Sequence, residues 1–139
     1  MMKSIPVWKQ ELSDGVHAAR LASLYCCAPA ETASEAARYA AVLDGLEKTF
    51  GSHAEAGLYS APGRTEIGGN HTDHQHGRVL AGSVNIDMIA AAAPNDKNQL
   101  RVQSEGYDLC VIDLNDLEAR KEEENTTAAL LRGECEAFR

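Results

Sequence analysis

The sequence has no long hydrophobic run. Its apolar stretches all fall short of the roughly 20 residues that a membrane-spanning helix needs, and its first residues, MMKSIPVWKQELSDG, lack the apolar core of a secretory signal. We therefore expect a cytoplasmic protein that does not cross a membrane.

Positive charge is also scarce. Thirteen Lys and Arg residues stand against 21 Asp and Glu, which gives a net charge of −8. Residues 105–139 are the most acidic part of the chain, with ten acidic and four basic residues, a net of −6. A negative chain is repelled by phosphate backbones and by anionic lipid surfaces. We expect neither nucleic acid nor a membrane as a partner.

Several chemical motifs are missing. The cysteines, at positions 26, 27, 110 and 135, form no CxxC pair, which predicts reduced, structural thiols. The sequence contains neither the phosphate-loop pattern GxxxxGK[ST] nor the hydrolase pattern GxSxG, and residues 63–69 do not match GxGxxG. These absences exclude the common nucleotide-loop and serine-hydrolase classes.

What the chain does contain is enough for one ordinary domain: 139 residues, 44% of them hydrophobic. A helix is predicted over residues 33–51, with Ser34 as its N-cap and Gly51 as its stop. Its apolar side chains recur at helical spacing and predict one buried face: Tyr39, Val42, Leu43, Leu46 and Phe50.

Residues 57–116 are predicted to form a mainly antiparallel, half-buried sheet. Val84, Ile86 and Met88 alternate with polar Asn85 and Asp87, which predicts that the three apolar side chains face the core. The alternation continues in the pairs Leu100/Val102 and Leu109/Val111, after a turn at Asn95-Asp96. The predicted fold class is thus α/β in the α+β sense, with N-terminal helices, the sheet, and a further helix.

The last helix is predicted over residues 125–139, capped by Asn125 or Thr126. Its apolar stripe, formed by Ala128, Leu131, Cys135 and Phe138, is still in phase at the final residues, and no stop signal follows. We expect the chain to be one part of a longer protein, and we expect this stripe to cause self-association of the isolated chain.

The segment APGRTEIGGNHTDHQHGRVLAGSVNID, residues 61–87, differs most from the rest of the chain. It holds five glycines, three histidines and two arginines. The pairs Pro62-Gly63 and Gly68-Gly69 predict sharp turns or a close approach of the backbone to a ligand. Four polar side chains follow on one short loop, at positions 70–73. Such a loop suits a ligand that carries many hydroxyl groups.

A metal site is the alternative interpretation of the same loop. His71, His74, His76 and Asp73 are ligand types that zinc and iron accept. Their spacing is loose, however, and lacks the helical geometry of motifs such as HExxH. We therefore predict no metal site, and only weak zinc binding by these histidines.

The stretch APGRTEIGGNHTDHQHG resembles the signature of galactokinases, members of the GHMP small-molecule kinases. The matching positions are Pro62, Gly63, Arg64, Gly69, His71, Thr72, Asp73 and Gly77, followed by Val79-Leu80 at the start of a strand. The resemblance implies that residues 1–139 correspond to the N-terminal portion of a kinase lobe, with a sugar-binding loop at residues 61–77.

The resemblance also implies an activity and its residues. The intact enzyme would move a phosphoryl group from ATP, bound with Mg²⁺, to the anomeric hydroxyl of galactose or a related sugar. Arg64 would be catalytic, balancing charge near the reacting oxygen. Asn70, His71 and Asp73 would bind the sugar, and Gly63, Gly69 and Gly77 would shape the loop.

Two positions depart from the signature: Asn70 replaces a glutamate and His74 a tyrosine. Both bear on which sugar is bound. The phosphate loop and catalytic aspartate of the family would lie beyond Arg139, so the isolated chain is expected to be inactive. Two other interpretations stay open: a non-catalytic sugar-sensing relative, and a self-contained domain whose glycine-rich loop is structural.

Overall fold

The computed structural model describes residues 1–53, 55–69 and 76–139. They form two compact units, Met1–Ala93 and Pro94–Arg139. Both units combine helices with antiparallel strands, which confirms the predicted mixed α/β class. No helix in the described part of the chain is long and apolar enough to cross a membrane.

The first unit begins with a short strand and three helices. Strand β1 spans Met2–Lys3, α1 spans Ile5–Ser13, α2 spans Ala18–Tyr25, and α3 spans Ala33–Phe50. A 3₁₀ turn, Pro29–Glu31, precedes α3. Pro6 suits the first turn of α1, where a missing N–H costs no hydrogen bond. Helix α3 ends at Gly51, whose φ of 85° few other residues adopt.

The N-cap of α3 is Thr32, and the prediction of Ser34 was wrong. The Thr32 side chain is buried and donates a hydrogen bond to the carbonyl of Pro29 at 2.8 Å, which ties the 3₁₀ turn to the helix. Ser34 already lies in the first turn of α3. The 3₁₀ turn therefore brings the chain into the helix earlier than the capping pattern indicated.

Two long strands complete the first unit. Strand β2 spans Ala56–Gly68 and β3 spans Leu80–Ala92; they pair antiparallel, and β1 pairs with the other edge of β2. Trp8 connects α1 to this sheet, because its indole N–H donates a hydrogen bond to the carbonyl of Ala56 at 2.8 Å. The helices and sheet share one core, whose buried members are Ile5, Leu12, Leu21, Tyr25, Tyr39, Leu43, Leu46 and Ala56.

From Ile86 onward the faces of β3 are reversed relative to the prediction, whereas Val84 is half-buried and Asn85 exposed, as predicted. Ile86 and Met88 are 76% and 78% exposed, whereas Ile89 and Ala91 pack against the core of the first unit. Asp87, predicted to face solvent, has a side chain that is only 3% exposed. The alternation correctly predicted a strand, but the helices cover the face that carries Asp87, Ile89 and Ala91. Asp87 is tolerated on this face because its carboxylate is hydrogen-bonded.

The second unit holds a two-stranded sheet and one helix. Strand β4, Gln99–Val102, pairs antiparallel with β5, Cys110–Asp113, and α4 spans Thr127–Ala137 against β5. The strands expected as one sheet over residues 57–116 thus form two separate sheets. On β5 the buried side chain is Ile112. Val111 is exposed, and so is Leu109 just before the strand, contrary to the predicted alternation.

Thr126 caps α4, as one of the two predicted alternatives: its hydroxyl accepts from the Ala129 N–H at 3.3 Å. The residue most buried in this helix is Arg132, whose guanidinium donates to both carboxylate oxygens of Glu123 and to the carbonyl of Asp116. A polar cluster therefore anchors α4. Phe138, predicted to belong to an apolar stripe, is 89% exposed.

Candidate functional site

The candidate site is built on the β2–β3 hairpin of the first unit. Asn70, His71 and Asp73, the predicted sugar ligands, lie outside the described residues, as do Thr72 and His74. The strand ends that flank residues 70–75 are described. The structure therefore defines the frame from which the predicted sugar-binding loop departs.

Arg64, the predicted catalytic residue, lies near the middle of β2 and is directed to solvent. Its side chain is 71% exposed, and its guanidinium lies 3.6 Å from the carboxylate of Glu66. At that distance and exposure the ion pair is weak. Arg64 is accordingly available to an anionic ligand, although its catalytic role stays a prediction.

The register of the hairpin changes next to Arg64. Pro62 pairs with Asp87, and Arg64 pairs with Ser83, so Gly63 alone faces residues 84–86. A Cβ atom at Gly63 would lie 3.0 Å from the Ile86 carbonyl and 3.2 Å from Val84 Cγ2. Glycine is thus favoured here because the bulge of β3 approaches the β2 backbone closely.

Gly69 is more strongly required. Its φ is 85°, and an added Cβ would lie 2.2 Å from the carbonyl oxygen of Arg78 on the returning chain. Both facts restrict this position to glycine. On the other side of the loop, His76 also has a positive φ, of 59°, and exposed Gly77 follows it. The chain leaves β2 and returns toward β3 through two sharply turned positions.

No three His, Cys, Asp or Glu side chains are placed to hold a metal ion within residues 1–53, 55–69 and 76–139. Three of the candidate ligands, His71, Asp73 and His74, lie outside those ranges. The prediction that the loop binds no metal is therefore untested.

The structure also reveals a polar cluster that the sequence pattern did not predict. The Asp87 carboxylate on β3 accepts hydrogen bonds from the Tyr25 hydroxyl at 2.6 Å, the Ser60 hydroxyl at 2.5 Å and the Arg38 guanidinium at 3.0 Å. These donors come from α2, β2 and α3. The available signal was a single carboxylate within a largely apolar strand, which alternation alone assigned to the solvent face.

The charge state of this cluster follows from its contacts. Burial raises the pKa of Asp87, but the hydrogen bonds from Ser60, Tyr25 and Arg38 lower it by more, so the pKa of Asp87 lies below its ordinary value. Burial and the bond to Asp87 raise the pKa of Tyr25. Asp87 is therefore ionised and Tyr25 protonated at neutral pH, as the direction of their hydrogen bond requires.

Comparisons with known proteins show which family this hairpin is similar to. Residues 46–94 match the family described as the galactokinase galactose-binding signature. The match begins in the last turn of α3 and includes all of β2, the loop and β3. The match thus covers both described strands of the hairpin and the segment between them.

Individual relatives agree with this match. The chain is 35% identical to a galactokinase of Ligilactobacillus salivarius over 83 residues, which are 58% of this chain and 21% of the relative. It is 34% identical to a galactokinase of Streptococcus suis over 71 residues, 49% of this chain and 18% of the relative. A galactokinase of Lacticaseibacillus casei is 33% identical over 66 residues, 48% of this chain and 17% of the relative.

The chain is therefore similar to the N-terminal portion of galactokinases, and the predicted resemblance is confirmed. The similarity spans about a fifth of the length of the curated relatives. No solved structure matches the chain.

Proposed function

We propose that this chain supplies the sugar-binding part of a galactokinase-type sugar kinase. The observation that carries the proposal is the match of residues 46–94 to a galactose-binding signature, because those residues include both strands of one hairpin and the segment between them. In this proposal the loop residues Asn70, His71 and Asp73 bind the hydroxyl groups of a sugar with the galactose configuration. A carboxylate that accepts hydrogen bonds from hydroxyls gives such a site both affinity and orientation.

The hairpin frame supports the proposal physically. Gly69 and His76 turn the chain sharply at either side of the loop, and Arg64 presents a solvent-directed guanidinium on the strand that enters it. In the reaction of an intact kinase, Arg64 would face the anomeric oxygen and stabilise the negative charge of the transferred phosphoryl group. Electrostatic stabilisation of this kind dominates phosphoryl transfer.

ATP and Mg²⁺ belong to the proposal as the phosphoryl donor and its ion in the intact kinase. The described residues do not fit them: they present no cluster of metal-ligating side chains, and the sequence has no phosphate-loop motif. We expect this chain alone, given ATP and galactose, to release no ADP above background.

Sugar binding is the direct test. Titration calorimetry of the chain with galactose should show saturable binding, and glucose, its C4 epimer, should bind more weakly. Asp73→Ala should abolish the galactose signal. Asp108→Ala, which removes an exposed carboxylate of the second unit, is the matched control and should leave it unchanged. No difference between galactose and glucose, or full binding by Asp73→Ala, would overturn the proposal.

A further inference from the structure

Asp87 sits where the regular part of the hairpin ends. Its ladder partner is Pro62, and the next described pair, Arg64 with Ser83, comes only after the bulge. The carboxylate is thus opposite the first residue of the Pro62-Gly63-Arg64 sequence. The carboxylate also accepts a hydrogen bond from Ser60, which lies on β2 two residues before Pro62.

The bonds to Asp87 connect that point to the helical layer. Tyr25 donates from the end of α2, and Arg38 donates from α3. Arg38 is itself held by Glu35, one turn earlier, at 2.5 Å. The Tyr25 hydroxyl lies 3.1 Å from the Tyr39 hydroxyl on α3. One carboxylate therefore joins both strands of the hairpin to two helices.

Packing alone does not account for a carboxylate at this position. Burying an ionised group costs free energy that its bonds must recover, and apolar side chains of similar volume often serve stability as well or better. The neighbouring inward positions on β3, Ile89 and Ala91, are apolar and pack against the core. What a fully bonded carboxylate adds is a defined geometry, because each bond fixes a distance and a direction.

We propose that Asp87 is a positioning residue for the sugar site, which fixes β2 at Pro62 and so sets the direction of Arg64 and the start of the loop. This inference rests on the proposed function, because it names the site whose geometry is held. Ser60 transmits the constraint, since its hydroxyl is the link between the carboxylate and β2. Tyr25 and Arg38 hold the carboxylate itself.

The test compares galactose affinity with stability in the same samples. Asp87→Asn should weaken galactose binding by about tenfold, measured by calorimetry at a temperature where the variant is folded. Ser60→Ala should act in the same direction, and Ser60→Thr, which keeps the hydroxyl, should restore affinity. The control is Lys9→Met, which removes ion pairs between α1 and α3. It should lower stability without changing affinity for galactose.

A second measurement does not depend on sugar. Hydrogen exchange of the backbone should become faster over residues 60–68 in Asp87→Asn, whereas α1 should exchange as in the unmodified chain. If Asp87→Asn does not fold, Tyr25→Phe and Ser60→Ala each remove one bond and take its place. A folded Asp87→Asn or Ser60→Ala with unchanged affinity overturns the proposal.

The outcomes separate the two proposals. If the unmodified chain binds no galactose, the proposed function fails, and exchange over residues 60–68 then decides the positioning role. Unchanged exchange in Asp87→Asn refutes that role; selective acceleration supports it. If the chain binds galactose and affinity falls equally in Lys9→Met and Asp87→Asn, Asp87 contributes stability only and the positioning role is refuted.

Discussion

Among the described residues that flank the candidate loop, Gly69 has the most constrained backbone. Two separate effects act there: a positive φ, and the carbonyl of Arg78 at 2.2 Å from any added Cβ. Gly15 has a similar φ of 71° but no atom within 4 Å of its Cβ position. Comparing substitutions at Gly15 and Gly69 therefore separates the cost of a positive φ from the cost of the contact between Cβ and the Arg78 carbonyl.

We expect Gly15→Ala to lower the free energy of unfolding by about 1–2 kcal/mol, the usual cost of a left-handed non-glycine residue. Gly69→Ala should cost more, because the returning chain must also move. Urea unfolding followed by the fluorescence of Trp8, the one tryptophan of the chain, measures both. Equal losses in the two variants would show that the loop backbone can shift freely.

Within the proposed sugar site, we expect Asn70 to bear most directly on the choice of sugar. The galactokinase resemblance implies a glutamate at this position that accepts a hydrogen bond from the exocyclic hydroxyl of the sugar. An amide is a neutral acceptor, and neutral hydrogen bonds are weaker than charged ones. A chain with Asn70 should therefore discriminate less against sugars that lack the exocyclic group than a chain with glutamate at this position.

The corresponding experiment compares galactose with L-arabinose, which has the galactose configuration without the exocyclic carbon. Asn70→Glu should increase the preference for galactose by about fivefold, measured as the ratio of dissociation constants. Asp73→Ala serves as the negative control and should bind neither sugar. If the ratio is the same with Asn70 and Glu at this position, residue 70 does not contact the exocyclic group.

At the scale of elements, β3 shows what the sequence pattern could and could not predict. Period-two alternation correctly identified a strand, but it could not say which face the helices cover. That choice depends on long-range contacts: Asp87 with Tyr25 and Arg38, and Ile89 with the core.

Local signals predicted other features with varying success. The end of α3 at Gly51 and the turned backbone at Gly69 were predictable from single residues, because positive φ is a local property. The N-cap at Thr32 was not, because the preceding 3₁₀ turn set where the helix begins. The signature was recognisable from its residues through their resemblance to galactokinases, whereas the Asp87 cluster required four elements, α2, α3, β2 and β3, to be brought together.

The reversed face of β3 gives a direct prediction from adjacent residues. Met88→Ala should change the free energy of unfolding by less than about 0.5 kcal/mol, since Met88 is 78% exposed. Ile89→Ala should cost an amount near the low end of about 2–5 kcal/mol, because Ile89 is partly buried against the core. Urea unfolding measures both. A larger loss for Met88→Ala would restore the orientation expected from alternation.

At the scale of the whole molecule, exposed apolar side chains favour association. They include Tyr59, Ile86 and Met88 on the hairpin and Leu130 and Phe138 on or next to α4. The net charge of −8 opposes association, and salt screens that repulsion. We expect light scattering at micromolar concentration to show self-association that strengthens with added salt. A monodisperse monomer at low and high salt would contradict this expectation.

Acidic pH acts on the whole molecule through carboxylates in both units. Hydrogen bonds from Lys3 and His17 lower the pKa of Glu11, and the bond from Arg120 lowers that of Asp116. Arg132 lowers the pKa of Glu123. With Asp87, four carboxylates thus have folded-state pKa values below their ordinary ones. Each contributes stability that is present above its unfolded pKa, about 3.9 for Asp and 4.3 for Glu, and that is lost as the pH falls through the folded pKa.

The melting temperature should therefore fall as the pH is lowered from 5 to about 3. Protonation also relieves the repulsion of a chain with net charge −8, which would act in the opposite sense, but at physiological ionic strength charges more than about 8 Å apart are largely screened. The loss of paired carboxylates should dominate.

Thermal unfolding at constant ionic strength, followed by Trp8 fluorescence, reports on the first unit. Asp87→Asn should melt lower at neutral pH and show a shallower decline in acid, because one of the linked groups no longer titrates. A melting temperature that rises toward pH 3, or an equal decline in Asp87→Asn, would mean that the Asp87 cluster does not govern the acid response of the first unit, which carries the proposed sugar site.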